Sequence, residues 1–418
     1  MVRGNGTGGG HGGQFFMIVA HKIALDPNNV QKTQLARTAG VARFAFNWAL
    51  TEWKRQYEAH KADPSLPKPS QPALRRQLNS IKREKFPWML EVTKCAPQMA
   101  IIQLGAAFEN FFAGRAGYPR FRKKGVHDRF SLPNSDFRIV GSRIRIPKVG
   151  WVRMREELRF KGKIVSATVS RTADRWFVSI TVDIPDGSYP PKTEGHGVVG
   201  VDLGLSALAT LSNGEVVAGR RPYREFLKRL RHLSRSLSRK VEGSKNQKKA
   251  RIKLEKLRAH IAAIRADVLH KLTTDLTRRF NTIVIEDLSV RSMIAKNRFL
   301  ARSIMDRGLF EFRRQLRYKA AWRGRDVIVA SRWFPSSKTC SNCGHVLEVL
   351  PLSMRRWECP ACGTFHDRDA NAAINLMNLA VSHTASARGG GGSPASGEAG
   401  SGQPACQKRG RHKCRKAV

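Results

Sequence analysis

Two closely spaced pairs of cysteines are the clearest candidates for chemistry in this 418-residue sequence. Each pair has two residues between its cysteines, and fifteen residues separate the pairs. The four cysteines are Cys340, Cys343, Cys359 and Cys362. Four thiolates at this spacing are typical of a zinc ribbon, in which sulfur fills every position around a tetrahedral Zn²⁺ ion. The pattern therefore predicts a structural zinc site, with His345 and His366 as alternative ligands in place of one sulfur.

Four acidic residues stand where predicted strands end or where the last predicted helix begins. Asp202 follows the apolar run VVGV, and Glu286 ends the apolar run IVI. Asp367 and Asp369 follow the second cysteine pair and open an alanine-rich helix. Singly, such acids are common as turn residues, as edge-strand acids or at a helix N-terminus. Together they offer the converging carboxylate oxygens that two-metal hydrolysis of a phosphodiester by Mg²⁺ or Mn²⁺ requires.

The segments around these acids alternate between predicted strands and predicted helices. One apolar strand leads to Asp202, a long helical hairpin covers residues 222–280, and a second apolar strand ends at Glu286. A helix over 308–322 and a further strand precede the cysteines, and the last helix covers 369–381. This order of elements, with acids at these places, is the layout of an RNase H-like α/β nuclease.

The N-terminal half predicts a helical bundle beside a small β-barrel. A strand over residues 15–25 ends in DPNN, a helix-start signal. Apolar residues then recur near the helical period over 30–114, where Cys95 is expected to be a buried core thiol. Short segments over 130–184 alternate apolar and polar residues, as the strands of a small barrel do.

Charge is the most unusual feature of the composition. The chain has 76 Lys and Arg against 32 Asp and Glu, which gives a net charge of +44. This excess predicts a polyanionic partner, with nucleic acid ahead of a membrane surface. No stretch approaches the roughly twenty apolar residues of a membrane span, and the glycine-rich start lacks the apolar core of a signal peptide. We therefore expect a cytosolic protein, and a reducing compartment favours metal binding by the paired cysteines over disulfides.

A basic and aromatic segment, GYPRFRKKG at residues 117–125, is a candidate for gripping a nucleic-acid backbone. Cations beside aromatic rings suit single-stranded nucleic acid, although an exposed linker would have a similar composition. The candidate contacts are Arg120, Arg122, Lys123 and Lys124.

Five motifs, in this order, resemble those of the TnpB family of RNA-guided DNA endonucleases, which insertion sequences encode and which is regarded as ancestral to the type V CRISPR effectors. The motifs are GYPRFRKK, GVDLGLSALATLSNG, HKLTTDLTRRFNTIVIEDLSV, FPSSKTCSNCG and WECPACGTFHDRDANAAINL. The resemblance covers residues 15–385.

The resemblance implies a RuvC-type nuclease domain in which Asp202, Glu286 and Asp369 are catalytic and bind Mg²⁺. Asp369, rather than Asp367, is the acid of the family's Asp-x-Asn-Ala-Ala pattern, which reads DANAA here. The resemblance also implies an N-terminal wedge barrel with an inserted helical recognition domain. Together these two domains would bind a guide RNA transcribed from the end of the insertion sequence. Base pairing with this RNA would select the DNA target, which the protein would bind in double-stranded and single-stranded form.

These inferences divide the chain into six predicted parts. They are a disordered leader (1–13), a wedge β-barrel (14–29 and 115–192), a helical recognition domain (30–114), a RuvC-like nuclease domain (193–335 and 364–384), an inserted zinc ribbon (336–363) and a disordered basic tail (385–418).

The sequence thus predicts a multidomain α+β and α/β protein that cuts DNA under RNA guidance. Its expected cofactors are Mg²⁺ or Mn²⁺, structural Zn²⁺ and a guide RNA, and its expected location is the prokaryotic cytoplasm, in association with the nucleoid.

Three alternatives stay open: a cleavage-inactive DNA-binding repressor, a miniature type V CRISPR effector and a resolvase that needs no guide. The intact acids argue against the repressor, and the large basic N-terminal half argues against the resolvase. No membrane partner and no particular oligomeric state are predicted.

Overall fold

The computed structural model describes most of the chain. The described residues are 16–185, 195–296 and 298–388. The expected leader (1–13) lies outside them, as do residues 186–192 of the expected wedge and residues 389–418 of the expected tail. The described chain contains both strands and helices, and the strands build two larger sheets, which confirms the predicted mixed α and β class.

A capped turn joins the first strand, β1 (Phe16–Asp26), to the first helix, α1 (Asn29–Ala62). The side-chain oxygen of Asn28 accepts a hydrogen bond from the Gln31 backbone N–H at 2.8 Å. The side-chain oxygen of Gln31 accepts one from the Asn28 backbone N–H at 3.0 Å. This reciprocal capping box satisfies donors that a helix start otherwise leaves unpaired, so the chain turns at the predicted signal.

Three helices occupy the predicted helical region and bury apolar side chains against one another. The two that follow α1 are α2 (Gln71–Lys85) and α3 (Cys95–Phe112). The ring of Trp53 on α1 stacks on Phe108 of α3 with 4.2 Å between centroids. Cys95 is 2% exposed, which confirms the core thiol. The bundle is therefore held by apolar packing between α1 and α3, as the helical period predicts.

Seven strands form a curled sheet in the order β2–β6–β7–β1–β5–β4–β3, with every neighbouring pair antiparallel. β1 lies inside this sheet, because its residues 16–24 pair with β7 and its last two residues pair with β5. The three helices thus lie between β1 and β2 along the chain and share one hydrophobic core with the sheet. The later strands are β2 (Arg129–Pro133), β3 (Arg138–Val140), β4 (Arg143–Ile146), β5 (Gly150–Met154), β6 (Lys163–Thr172) and β7 (Arg175–Pro185).

The second sheet has five strands and carries two of the predicted acids. Its order is β10–β9–β8–β11–β12, in which β8, β11 and β12 are parallel and β9 is antiparallel to both neighbours. Its strands are β8 (Val198–Asp202), β9 (Ala209–Leu211), β10 (Val216–Val217), β11 (Thr282–Glu286) and β12 (Asp326–Ala330).

Helices connect and cover these strands, and a small two-stranded sheet precedes the last helix. The elements are α4 (Pro222–Glu225), α5 (Leu227–Ser238), α6 (Lys245–Arg279), α7 (Val290–Lys296), α8 (Arg298–Arg307), α9 (Leu309–Arg323), β13 (Arg356–Glu358), β14 (Phe365–Asp367) and α10 (Arg368–Arg388). The α5–α6 pair forms the predicted basic hairpin around a leucine-rich contact. None of the described helices has the length and apolar composition that a membrane crossing requires.

Different helices cover the two faces of the second sheet. Val201 and Ile285 pack with Leu272 of α6, and α9 contributes to the same core. On the other face, Val284 packs with Leu376 of α10. Because side chains alternate along a strand, strands buried on both faces need apolar residues at every position. This is why the runs before Asp202 and Glu286 are recognisable in the sequence.

The last helix extends further than the sequence predicts. α10 runs to Arg388, past the predicted end at residue 381, so residues 385–388 are helical and do not belong to the expected disordered tail. The segment SHTASA contains neither proline nor glycine, and nothing in it stops a helix.

β8 and α10 meet at Gly200. A Cβ atom at this position would lie 1.9 Å from the carbonyl oxygen of Ala373 and 2.7 Å from the backbone nitrogen of Met377. Glycine therefore lets the helix backbone lie directly on the strand, two residues before Asp202.

Replacing Gly200 with alanine is expected to lower the free energy of unfolding by about 1–3 kcal/mol, because helix and strand must separate to admit the methyl group. Urea denaturation measures this change. Gly117→Ala is the matched control, since no atom lies within 4 Å of its added Cβ. If Gly200→Ala were as stable as Gly117→Ala, the close contact between β8 and α10 would be wrong.

Candidate active site and cysteine cluster

Asp202 and Glu286 lie at the carboxyl ends of neighbouring parallel strands. β8 and β11 pair with Val201 opposite Ile285, so the next residue on each strand is one of the two acids. Ligands of open α/β sheets bind at this edge. The structure therefore brings together two of the three predicted catalytic residues.

Asp369 approaches the same edge from the first turn of α10, whereas Asp367 caps that helix. The Asp367 Oδ1 atom accepts hydrogen bonds from the backbone N–H groups of Asp369 and Ala370, both at 3.1 Å. A carboxylate in this position satisfies donors at the helix start. Asp369, in contrast, is one of the two acids that act electrostatically on Asp202. The geometry thus assigns different tasks to the two aspartates.

Burial and like charge raise the pKa of Asp202 from 3.8 to about 8. Burial is the largest cause; the carboxylates of Glu286 and Asp369 add to it, and Arg368 and Arg355 oppose it. Acids this close cannot all ionise without repulsion. Bound divalent cations would remove that repulsion, and strongly shifted acids of this kind are typical of functional sites.

Two neighbouring acids at the end of β11, Glu286 and Asp287, have different partners. Glu286 accepts a hydrogen bond from the hydroxyl of Ser336 at 2.5 Å, and Ser336 is buried. Asp287, the next residue, pairs instead with Arg313 and with Arg332, the latter at 2.7 Å. Asp287 is thus engaged by two arginines, whereas Glu286 is the acid that acts electrostatically on Asp202.

Arg355 links the cysteine segment to the acids. Its Nη1 atom lies 3.3 Å from Asp369 Oδ1, and the guanidinium is exposed. The pair partly offsets the negative charge of the cluster and orients the Asp369 carboxylate. The segment between the cysteine pairs therefore contributes a side chain to the acidic site.

The four predicted cysteines converge, with all their Sγ atoms within 4.8 Å of one another. Cys340 and Cys362 sulfurs are 3.7 Å apart, and Cys343 and Cys359 sulfurs are 3.6 Å apart. Zn–S bonds of about 2.3 Å in a tetrahedron place sulfur atoms roughly 3.8 Å from each other. The cluster thus has the dimensions that a Zn²⁺ ion requires.

The two histidines proposed as alternative ligands lie differently. His366 is buried, and its Nε2 atom is 3.0 Å from the Cys340 sulfur. His345 is exposed, and its backbone carbonyl accepts a hydrogen bond from the Cys340 N–H. Since four sulfurs already converge, His366 is placed to contact a ligand sulfur from outside, which is how neighbouring groups orient metal ligands.

Two asparagines of α10 hold the segment that leads into the cysteines. The Asn375 side-chain NH₂ donates to the carbonyls of Ser336 at 2.8 Å and Thr339 at 2.6 Å. Asn371 donates to the Thr339 carbonyl at 2.7 Å, and its oxygen accepts from the Ser341 N–H at 3.0 Å. Both asparagines are buried. The helix that carries Asp369 is therefore fastened to the first cysteine knuckle.

Arg122, one of the predicted phosphate contacts, is buried in the structure. The Arg122 guanidinium lies 3.7 Å above the ring centroid of Phe46 and donates to the side chain of Gln103 at 2.8 Å. It is 9% exposed, so it ties the basic segment to the helices and does not face solvent. The other three candidate contacts are exposed: Arg120, Lys123 and Lys124.

Sequence reasoning missed four residues of this site. Ser336 and Arg355 carry no pattern that separates them from ordinary surface residues. Asn371 and Asn375 had a usable signal, because residues four apart lie on one face of a helix and both amides stand in an otherwise apolar stretch, NAAINL. Two amides on a buried face predict a polar partner across the interface.

Three family models match parts of the chain. One described as "Probable transposase" matches residues 177–297, one described as "Cas12f1-like, TNB domain" matches 310–376, and one described as "Helix-turn-helix domain" matches 17–62. The last range contains a strand and a single helix in this structure, β1 and α1, so its description does not apply to the fold.

Two relatives are similar over almost their whole length. A Streptomyces pristinaespiralis protein named "Putative RNA-guided DNA endonuclease" is 37% identical, with 88% of this chain and 90% of that protein covered. An Escherichia coli K12 protein named "Putative RNA-guided DNA endonuclease InsQ" is 34% identical, with 89% and 94% covered.

A solved structure supports the fold. The protein chain of a Cas12f1–sgRNA–target DNA complex superposes with a TM-score of 0.52, covering 84% of this chain and 83% of that one, at 14% sequence identity. At this identity the similarity concerns the arrangement of the elements, and it agrees with the predicted multidomain fold.

The pKa of Asp202 predicts how stability depends on pH. Without added divalent cations, the folded state keeps a proton on Asp202 up to about pH 8, whereas the unfolded state loses it near pH 4. Stability therefore falls as pH rises between these values. Asp202→Asn should lack this decline and should melt at a higher temperature than wild type at pH 8, because an amide carries no charge that burial and the neighbouring carboxylates oppose.

Thermal unfolding from pH 5 to pH 9 measures this effect. The control is Asp267→Asn, which removes an exposed carboxylate from α6. If the melting temperatures of wild type and Asp202→Asn declined in parallel, the raised pKa would be wrong.

Proposed function

The chain belongs to the TnpB family, and on this premise we propose that it is an RNA-guided DNA endonuclease. The cut would be made at the site of Asp202, Glu286 and Asp369. The observation that carries the proposal is the convergence of these carboxylates at one edge of the second sheet, where Glu286 and Asp369 add to the burial that raises the pKa of Asp202. The names of relatives at 37% and 34% identity support the same activity.

The three carboxylates would hold Mg²⁺ or Mn²⁺, for which oxygen donors are the preferred ligands. Such ions supply Lewis-acid activation of water and stabilise the leaving oxygen of a phosphodiester. The chain orients its own ligands: Ser336 donates to Glu286, and Arg355 pairs with Asp369. Removing such orienting partners commonly costs about 10–100-fold in metal affinity or activity.

We propose that the four cysteines bind one structural Zn²⁺ ion. Four thiolates leave no open position for substrate, which excludes a catalytic role for this ion. Zinc binding would fold the segment between β12 and α10. The hydrogen bonds from Asn371 and Asn375 to this segment would then fix the position of the helix that carries Asp369.

The basic surface would hold a guide RNA from the element's own end and a DNA target in double-stranded and single-stranded form. Base pairing with the guide would select the target sequence. The protein would contact the phosphate backbone of the nucleic acids through its basic residues, which number 76 against 32 acidic residues. The exposed Arg120, Lys123 and Lys124 are proposed backbone contacts. The protein would act in the cytoplasm, at the nucleoid.

The proposal is tested by purifying the protein from cells that carry the DNA flanking its coding sequence and sequencing the RNA that co-purifies. We expect one discrete RNA, and Mg²⁺-dependent cleavage of a plasmid library that matches it beside one short motif. Asp202→Ala should bind the same RNA and target without detectable cleavage. Binding without cleavage by the wild type would favour a repressor, and the absence of a discrete RNA would contradict guidance.

The two aspartates at the start of α10 are expected to differ in the same assay. Asp369→Asn should abolish cleavage, since a neutral amide is a poor cation ligand. Asp367→Asn should keep activity within about twofold, because asparagine caps helices as well as aspartate does. Loss of cleavage in Asp367→Asn with activity retained in Asp369→Asn would reverse the assignment.

Zinc binding is tested by elemental analysis of the purified protein, where one zinc per chain is expected. Cys359→Ser should lose the metal, melt at a lower temperature and cut more slowly, because the zinc-bound fold stabilises the segment that holds α10. Cys406→Ser, which changes a cysteine outside the cluster, is the control. Unchanged cleavage by a zinc-free Cys359→Ser protein would separate the cluster from the placement of Asp369.

A further inference from the structure

Two adjacent charged residues at the end of α8 are buried. Asp306 is 4% exposed and Arg307 is 2% exposed. Charged side chains are seldom this buried unless their charge is compensated. Gly308 follows at φ +67°, so the chain turns sharply there and fixes where the two side chains go.

The Arg307 guanidinium donates to four backbone carbonyls on two loops. Its bonds reach the carbonyls of Leu205 at 2.6 and 3.2 Å, Ser206 at 2.8 Å, Ala218 at 3.0 Å and Gly219 at 3.3 Å. Leu205 and Ser206 belong to the irregular loop that directly follows Asp202. Only a planar fork with several donors can hold so many acceptors at once.

A second arginine grips the same loop. Arg221 donates to the carbonyl of Leu205 at 2.7 Å and to that of Ser206 at 2.8 Å. Two guanidinium groups on the same two carbonyls repel each other, and such repulsion is costly in a buried place. The hydrogen bonds to the two carbonyls therefore hold both arginines close together despite their like charge.

Asp306 connects the end of α8 to the helical hairpin of α5 and α6. Its carboxylate accepts from the Tyr223 backbone N–H at 3.1 Å and pairs with Arg265 of α6 at 3.1 Å. The Arg265 Nε–H also donates to the backbone carbonyl of Asp306 at 3.0 Å. The end of α8 therefore connects α6 with the loop after Asp202.

We propose that Arg307 is a positioning residue of the nuclease site: it fixes the loop after Asp202, and so keeps the Asp202 carboxylate opposite Glu286. Asp306 anchors this arrangement to α6. Arg307 touches neither substrate nor metal; it acts through the carbonyls of residues 205 and 206. The inference rests on the proposed function, because the consequence of misplacing Asp202 is a weaker cation site.

The test replaces Arg307 with lysine, which keeps the charge and removes the fork. A lysine has one donor atom and cannot span carbonyls on two loops. The matched control is Arg302→Lys, an exposed arginine on the same helix. Mn²⁺ binding to the full chain is followed by electron paramagnetic resonance, with Asp202→Asn defining the signal of the site. Single-turnover cleavage and guide RNA binding are measured in parallel.

We expect Arg307→Lys to weaken Mn²⁺ binding at this site and to slow cleavage, each by about 10–100-fold. Raising the Mn²⁺ concentration should recover part of the rate, which a purely structural defect would not permit. Guide RNA binding should match that of Arg302→Lys. Unchanged Mn²⁺ affinity in a folded Arg307→Lys protein would overturn the proposal.

Arg221→Lys provides a second variant should Arg307→Lys fail to fold. It removes hydrogen bonds to the carbonyls of Leu205 and Ser206, and because Arg221 is partly exposed, the change should disturb folding less. It should weaken Mn²⁺ binding in the same direction, and a wild-type affinity would overturn the proposal. Failure of the proposed function is distinguishable: it would appear as a wild-type protein that binds Mn²⁺ at Asp202 yet cuts no guided target.

Discussion

The cost of an ionised Asp202, buried beside two further carboxylates, is the constraint on which the second half of this protein depends. Burial is the largest cause of the raised pKa of Asp202, and the nearby carboxylates of Glu286 and Asp369 add to it. Rigid elements hold them together: two parallel strands end side by side, and a helix backbone lies directly on one strand at Gly200. The apolar cores on both faces of the sheet offset the unfavourable free energy of placing these acids together. Functional sites are often locally unfavourable and are held in place by the surrounding structure.

The cysteine cluster belongs to the same arrangement. Ser336 donates to Glu286 through its hydroxyl and accepts from α10 through its carbonyl. Asn375 and Asn371 join α10 to that carbonyl and to the segment entering the first knuckle. The cysteine segment and the helix that carries Asp369 thus share one hydrogen-bond network, which also reaches Glu286 through Ser336.

The sequence predicts the parts of this molecule whose chemistry is local. Thiolate spacing, apolar runs and acids at strand ends are readable because each signal lies within a few residues. Ser336 and Arg307 were not predicted, since their partners come from distant segments and a charged residue on a helix ordinarily faces solvent. The burial of Arg122 was not predicted either, because Phe46, which covers its guanidinium, lies far away in the sequence. Curling of the first sheet likewise depends on β1 bending between two distant strands.

The interior position of β1 has a consequence for synthesis of the chain. Its main partner, β7, ends at Pro185, so the ribosome must add nearly all of the N-terminal half before the strand can pair. At about 5–20 residues per second this interval lasts roughly 8–30 s. The helices between them have local contacts and can fold during this wait, whereas the sheet closes over a long loop, which is slow. We therefore expect the helices of the nascent chain to form first, while most of β1 stays unpaired until translation passes the end of β7.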